Sequence, residues 1–242
     1  MKVLFIIIFL FLFTACAAKQ EVFDPVAKFT EAEKYMQEES FENARKAYQE
    51  IQEKATDRSY DADIMLRIAD TYFGEEKYEE ALVEYQAFLN FHPVNKNASY
   101  AQYQIAMCSF RQLPTIDRDP SITRSALKEF ARLVQKYPTS PYADQARRNM
   151  AVCRERLAAY ELYVARFYHK KGSSAAAAAR AEGLMKDYPD ALIEKDALLL
   201  VGRAYAQLGK RDQALQALET LVKKYPAMRG DAADLLKELR TK

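Results

Sequence analysis

The residues of this chain with the chemistry to react or to hold a metal are few: two histidines, three cysteines and several neighbouring carboxylates among 242 residues. His92 stands before Pro93, where comparable segments have tyrosine, and His169 closes a basic stretch, so the two are well separated. A catalytic or structural zinc needs three or four convergent ligands, and a serine triad needs a histidine between its two partners. Neither set assembles from this sequence, which also has no GxSxG, no HExxH and no glycine-rich phosphate loop. Glu75-Glu76 and Glu79-Glu80 are the best carboxylate pairs for acid–base work, but they flank a turn and read as solvated helix ends. The expectation is a protein that binds, with no catalytic residue, no metal site and no cofactor.

The third cysteine is of another kind. Cys16 follows Lys2, the apolar and aromatic run Val3 to Phe13, and the small residues Thr14 and Ala15. Eleven apolar residues fall short of the ~20 that a helix needs to cross a bilayer, and match the ~7–15 of a secretory signal's apolar core. Phe13-Thr14-Ala15-Cys16 resembles a bacterial lipobox, with Phe where Leu is commoner. The resemblance implies cleavage before Cys16 and acylation of that residue, and two or more acyl chains anchor a protein stably. Ala17, where an aspartate would favour inner-membrane retention, implies an outer-membrane anchor facing the periplasm. The covalent lipid on Cys16 is the one prosthetic group expected.

Behind that anchor the charge is unevenly spread. Residues 21 to 90 hold 8 basic against 18 acidic side chains, and residues 91 to 242 hold 26 against 16. The two halves should attract different partners. Arg147, Arg148, Arg154, Arg156, Arg166, Lys170 and Lys171 could suggest nucleic acid, but a lipidated periplasmic protein meets none routinely. An acidic protein partner or phospholipid headgroups fit better. Cys108 and Cys153 could form a disulfide in an oxidising compartment; their apolar settings, QIAMCSF and NMAVCRERL, favour free and buried thiols.

The elements that carry these residues repeat. ADIMLRIADTYFGEEKYEEALVEYQAFLNFHP from Ala62 aligns with KDALLLVGRAYAQLGKRDQALQALETLVKKYP from Lys195, matching Ala69 with Gly202, Tyr72 with Tyr205, Ala81 with Ala214, Tyr85 with Leu218 and Pro93 with Pro226. These are the small and large positions of a tetratricopeptide repeat, a unit of ~34 residues in two antiparallel helices. Small residues let the two helices approach, large ones fill the gap to the next pair, and proline ends the second helix. Weaker copies begin at Pro25, near Ser99, and with a long helix over roughly Tyr142 to Lys171 that turns at Gly172. The third copy carries the insertion QLPTIDRDP, in which Asp119 should cap a helix that starts with Pro120.

The predicted fold is all-α, a right-handed superhelix of about five such repeats behind a lipoprotein signal peptide. Its parts are a signal at 1–15, a lipidated tether at 16–24 and a solenoid over 25–242. The repeats fall at about 25–58, 61–95, 98–140, 141–190 and 191–228, followed by a capping helix at 229–242. Stacked repeats leave extended grooves that suit peptide or protein ligands.

Several stretches go beyond what a repeat consensus requires: DRDP at 117–120, KEFARLVQKYPTSPYADQAR at 128–147, RLAAYELYVARFYHKKG at 156–172 and RAEGLMKDYPD at 180–190. In these the chain resembles the BamD family of outer-membrane protein assembly factors, most strongly from the third repeat onward. The resemblance implies a non-enzymatic scaffold that helps fold and insert β-barrel proteins. Implied partners are the POTRA domains of a BamA-like barrel subunit, accessory assembly lipoproteins, unfolded β-barrel clients and the outer membrane itself, with no nucleic acid. Carried over by position, Lys195 and Asp196, with Asp190 just before them, are the candidates for the POTRA contact. Lys195 stands where the family often has arginine, which exchanges a bidentate donor for a point charge. Tyr35, Tyr72, Phe73 and Tyr85 are candidates for a client-binding groove, against the alternative that they are packing residues. The competing reading is another periplasmic repeat lipoprotein, a pilus-assembly pilotin or a recruiter of peptidoglycan enzymes.

Overall fold

A computed structural model describes residues 23–241. The signal, Cys16 and the first part of the tether lie outside the described residues. Eleven α-helices and two short 3-10 turns make up the described chain, which has no strand. It divides into two compact units, one ending at Asp61 and the other beginning at Ala62.

The first unit is a single helix pair, α1 (Pro25–Gln37) and α2 (Phe41–Lys54), followed by a 3-10 turn. Asp24 caps α1, its Oδ1 accepting from the backbone N–H of Val26 at 2.9 Å and Ala27 at 3.1 Å, with Pro25 in the first turn where no N–H is missed. Ala32 and Ala44 are fully buried and let the helices close. Tyr48 is buried too, its ring edge-on to Phe29 and its hydroxyl donating to Glu33 at 2.5 Å.

The second unit continues the pattern with α3 (Asp61–Gly74), α4 (Tyr78–Phe91), α5 (Ala98–Arg111), α6 (Ser121–Lys136), α7 (Ala143–Lys170), α8 (Ser174–Asp187), α9 (Glu194–Gln207), α10 (Arg211–Lys224) and α11 (Arg229–Thr241). Each helix packs mainly on its neighbours in sequence, so the core is a chain of small clusters. α3, α4 and α5 share Leu66, Tyr85, Phe88 and Ile105; α9, α10 and α11 share Leu198, Leu218, Leu221 and Leu236. Nearest-neighbour stacking of this kind is the mark of a tetratricopeptide-type solenoid.

α7 departs from the common length with 28 residues against 14 in most of the others. Its first half buries Ala146 and Cys153 against Phe130 and Leu133 of α6, and its second half buries Leu162 and Ala165 against Ala181 and Leu184 of α8. One continuous helix thereby serves two junctions. The insertion before α6 is held by Arg156 of α7, which donates to the carbonyl of Pro114. The start of α6 is shifted by one residue from the expectation. Pro120 occupies the cap position itself, and Asp119, one residue further out, accepts from the N–H of Ser121 at 2.8 Å.

The turn inside the repeats is the same in four places. The N–H of Ser40, Lys77, Ser173 and Lys210 returns to the carbonyl of Tyr35, Tyr72, Tyr168 and Tyr205, at 2.8 to 2.9 Å. The residue immediately before each donor takes positive φ: Glu39, Glu76, Gly172 and Gly209. A left-handed residue is how a helix closes its last carbonyls. Glycine does this at no steric cost, and the glutamates of the first two turns bear a penalty of roughly 1–2 kcal/mol each.

Candidate interaction surfaces

Asp190, Lys195 and Asp196 surround the link between α8 and α9. Asp190 and Lys195 are exposed. Asp196 is already engaged: Arg166 on α7 donates to its Oδ1 at 2.7 Å. Leu192 lies between them at 81 % exposure, a large apolar side chain with charge on both sides. Its own N–H is fixed by Glu155 at 2.9 Å, so the loop is pinned to α7. Asp190 also borders a cavity of about 220 Å³ with Met150, Arg154, Glu155 and Tyr188. An exposed apolar centre with a charged rim is the anatomy of a protein-binding patch. Sequence reasoning found the charges and missed Leu192, whose only signal is an apolar residue in the polar turn DYPDALIEKD.

The aromatic candidates sit differently. Tyr85 is fully buried, and its hydroxyl donates to Asp70 at 2.6 Å. It packs the helix pair and offers no surface to a client, because the small Ala69 and Ala81 draw the helices together over it. Tyr72 and Phe73 are half-buried against the same cluster, Phe73 edge-on to Tyr78. Tyr35 is half-buried in the first unit, where its carbonyl closes the turn. The exposed apolar residues of the second repeat are others, Val83 and Phe91 on α4 and Val94 beyond it.

Burial raises the carboxyl of Asp70, opposed by hydrogen bonds from Tyr100 and Tyr85 and by Arg67. Burial likewise pushes the thiols of Cys108 and Cys153 up, to about 12 and about 11. Both cysteines are free and buried, in separate clusters of the core. Glu194 is held below the usual carboxylate range by Lys224 and then Tyr225, which both donate to it. Among the described residues no group of three His, Cys, Asp or Glu side chains could hold a metal, and no helix is long and apolar enough to cross a membrane.

Paired helices with shared turns and serial cores define a helical-repeat protein of the tetratricopeptide type. The profile of the family described as YfiO, outer membrane lipoprotein, matches residues 23–221, and the chain belongs to that family. Relatives named outer membrane protein assembly factor BamD include one from Neisseria meningitidis, 28% identical over a match of 208 residues that covers 82% of this chain and 78% of that one. The relative of that name from Pasteurella multocida is 27% identical over 222 residues, 87% and 85% of the two chains. That from Vibrio cholerae is 26% identical over 212 residues, 84% and 88%. Among solved structures, the TPR2AB-domain:pHSP90 complex of yeast Sti1 is similar over 84% of this chain and 78% of that one, at a TM-score of 0.46 and 13% identity. A second, YrrB, described as a TPR protein with an unusual peptide-binding site, gives 0.39 at 18% identity, covering 84% and 87%.

Proposed function

We propose that this chain is a scaffold lipoprotein of the β-barrel assembly machinery, working without catalysis and without a cofactor beyond the lipid on Cys16. Family membership over residues 23–221, with relatives named as BamD, is the observation that supports this reading most directly. In it the signal of residues 1–15 is removed, Cys16 is acylated, and the repeats hang from the outer membrane on its periplasmic face. The patch formed by Asp190, Leu192 and Lys195 receives a POTRA domain of a BamA-like subunit. Lys195 offers a point charge to a partner carboxylate, while Leu192 supplies the apolar contact that a charge pair alone does not. Unfolded β-barrel clients and accessory lipoproteins bind elsewhere on the repeats.

A photocrosslinking side chain at position 195, in living cells, tests the reading. Capture of a POTRA-containing barrel protein supports it. Capture of a pilus or cell-wall protein, with barrel levels unchanged when the chain is depleted, overturns it in favour of another lipoprotein adaptor. Mass spectrometry of the membrane fraction, with Cys16→Ser as control, checks the anchor.

A further inference from the structure

One register position changes its chemistry along the array. Two residues before the turn tyrosines Tyr35, Tyr72, Tyr168 and Tyr205 stand Glu33, Asp70, Arg166 and Arg203. In the first two repeats the acid is satisfied inside its own helix pair, Glu33 by Tyr48 and Asp70 by Tyr85. In the last two the place of that tyrosine is taken by Ala181 and Leu218, which have no hydrogen bond to give or accept. The basic residue must therefore look outside its pair. Arg166 does so by reaching forward to Asp196 on the next repeat's first helix.

Arg203, one repeat on, is paired with no such acid, although Glu238 lines the same cavity. Among the described residues Arg203 makes no ion pair and no side-chain hydrogen bond. It opens instead into a cavity of about 510 Å³ between α7, α9, the start of α10 and α11. Ala206, Leu235 and Leu239 give that cavity an apolar wall. Arg211 lines it too and is anchored by the carbonyls of Leu239 and Arg240 at the end of α11. His169, also on the wall, has a buried Nδ1 without a partner.

We infer that this cavity is a docking site for an acidic side chain, Asp or Glu, flanked by apolar residues on a segment of a partner protein. The occupant is read from the charge and apolar lining of the cavity. One repeat earlier the guanidinium at this register takes a carboxylate, that of Asp196 on the next helix; after Arg203 the next helix, α11, stands in the cavity wall and pairs no acid with it, so the carboxylate has to come from outside. Arg203 takes the carboxylate in a charge-assisted pair, and the leucine wall takes the apolar neighbours. One glutamate, Glu238, stands among two arginines, so the site favours a negative ligand. It lies about 12 Å along α9 from Lys195, counting eight residues at the helical rise, and is a contact separate from the patch proposed above.

The test uses the full chain in detergent and a fluorescein-labelled peptide of sequence Leu-Asp-Ala-Leu-Leu, blocked at both ends. Saturable binding is expected, weaker by about tenfold or more when the peptide's Asp becomes Asn or the protein carries Arg203→Gln. Arg203→Lys should retain part of the affinity, and Arg148→Gln, which removes a charge elsewhere on α7, should leave it unchanged. Nε of Arg203 should shift in nitrogen-15 spectra on addition of the Asp peptide. Absent binding, or binding equal for the Asp and Asn peptides or indifferent to Arg203→Gln, overturns the inference. So does preference for the Asn peptide with a free C-terminus, which would assign the site to a chain end. Arg203 is exposed, so its variants should melt with the parent, and the crosslink from position 195 is independent of all these outcomes.

Discussion

Tyr100 at the start of α5 donates its hydroxyl to Oδ1 of Asp70 on α3 at 2.6 Å, the same oxygen that Tyr85 reaches from α4. One carboxylate thus ties three helices. Tyr100→Phe or Tyr85→Phe removes one donor and leaves the other, for an expected loss of about 1 kcal/mol each. Asp70→Ala leaves two largely buried hydroxyls without their acceptor and should cost more than either, about 2–3 kcal/mol. Urea unfolding of the three variants checks the order.

Gly202 is a matter of space. A Cβ built there would lie 2.5 Å from Cγ and Cδ2 of Leu218, inside any tolerable contact. Gly202→Ala should therefore destabilise by about 1–3 kcal/mol through overpacking. Leu218→Ala alone opens a cavity and should cost about 2–5 kcal/mol. Combined, the two changes should cost less than their sum, because each makes room for or fills the other; a strictly additive double-mutant cycle would place the clash elsewhere.

Glu194 supplies a pH dependence. Its carboxyl is held down by Lys224 and Tyr225, so its folded value lies below the unfolded one. The stabilisation is then present above the unfolded carboxylate range, roughly pH 4–5, and is lost as pH falls through the folded value. Glu194→Gln should lower the melting midpoint at pH 7 by at most a few degrees, since the group is partly solvated. Near pH 3 the variant and the parent should converge.

Cys108 and Cys153 should be silent toward thiol reagents. With burial raising them to about 12 and about 11, almost no thiolate exists at pH 8 in the folded chain. Ellman's reagent should react with neither until denaturant is added and then with both. Reaction of one thiol in native buffer would mean that its helix junction opens locally.

Much of the fold was legible because it is local. The spacing of Ala69, Tyr72, Ala81 and Pro93, met again at Gly202, Tyr205, Ala214 and Pro226, specifies helices, turns and their pairing through contacts that span a few turns of chain. The long helix was legible for the same reason and ends one residue inside its expected limits at both ends. The start of α6 was off by one because Asp119 and Pro120 can each fill the cap, and only the backbone angles of Pro120 decide between them.

What the sequence by itself determined is thus the repeated helix pair, the small residues that close it and the family to which it belongs. Tertiary structure alone decided which side chains were left for partners. Tyr85 turned inward to Asp70, Asp196 was taken by Arg166, Leu192 was left in solvent and Arg203 was left unpaired. The physical reason is reach. A pattern with a period of a few residues fixes which face of a helix is buried, whereas the partner of a charged side chain depends on where another helix, some thirty residues away, sets down its own.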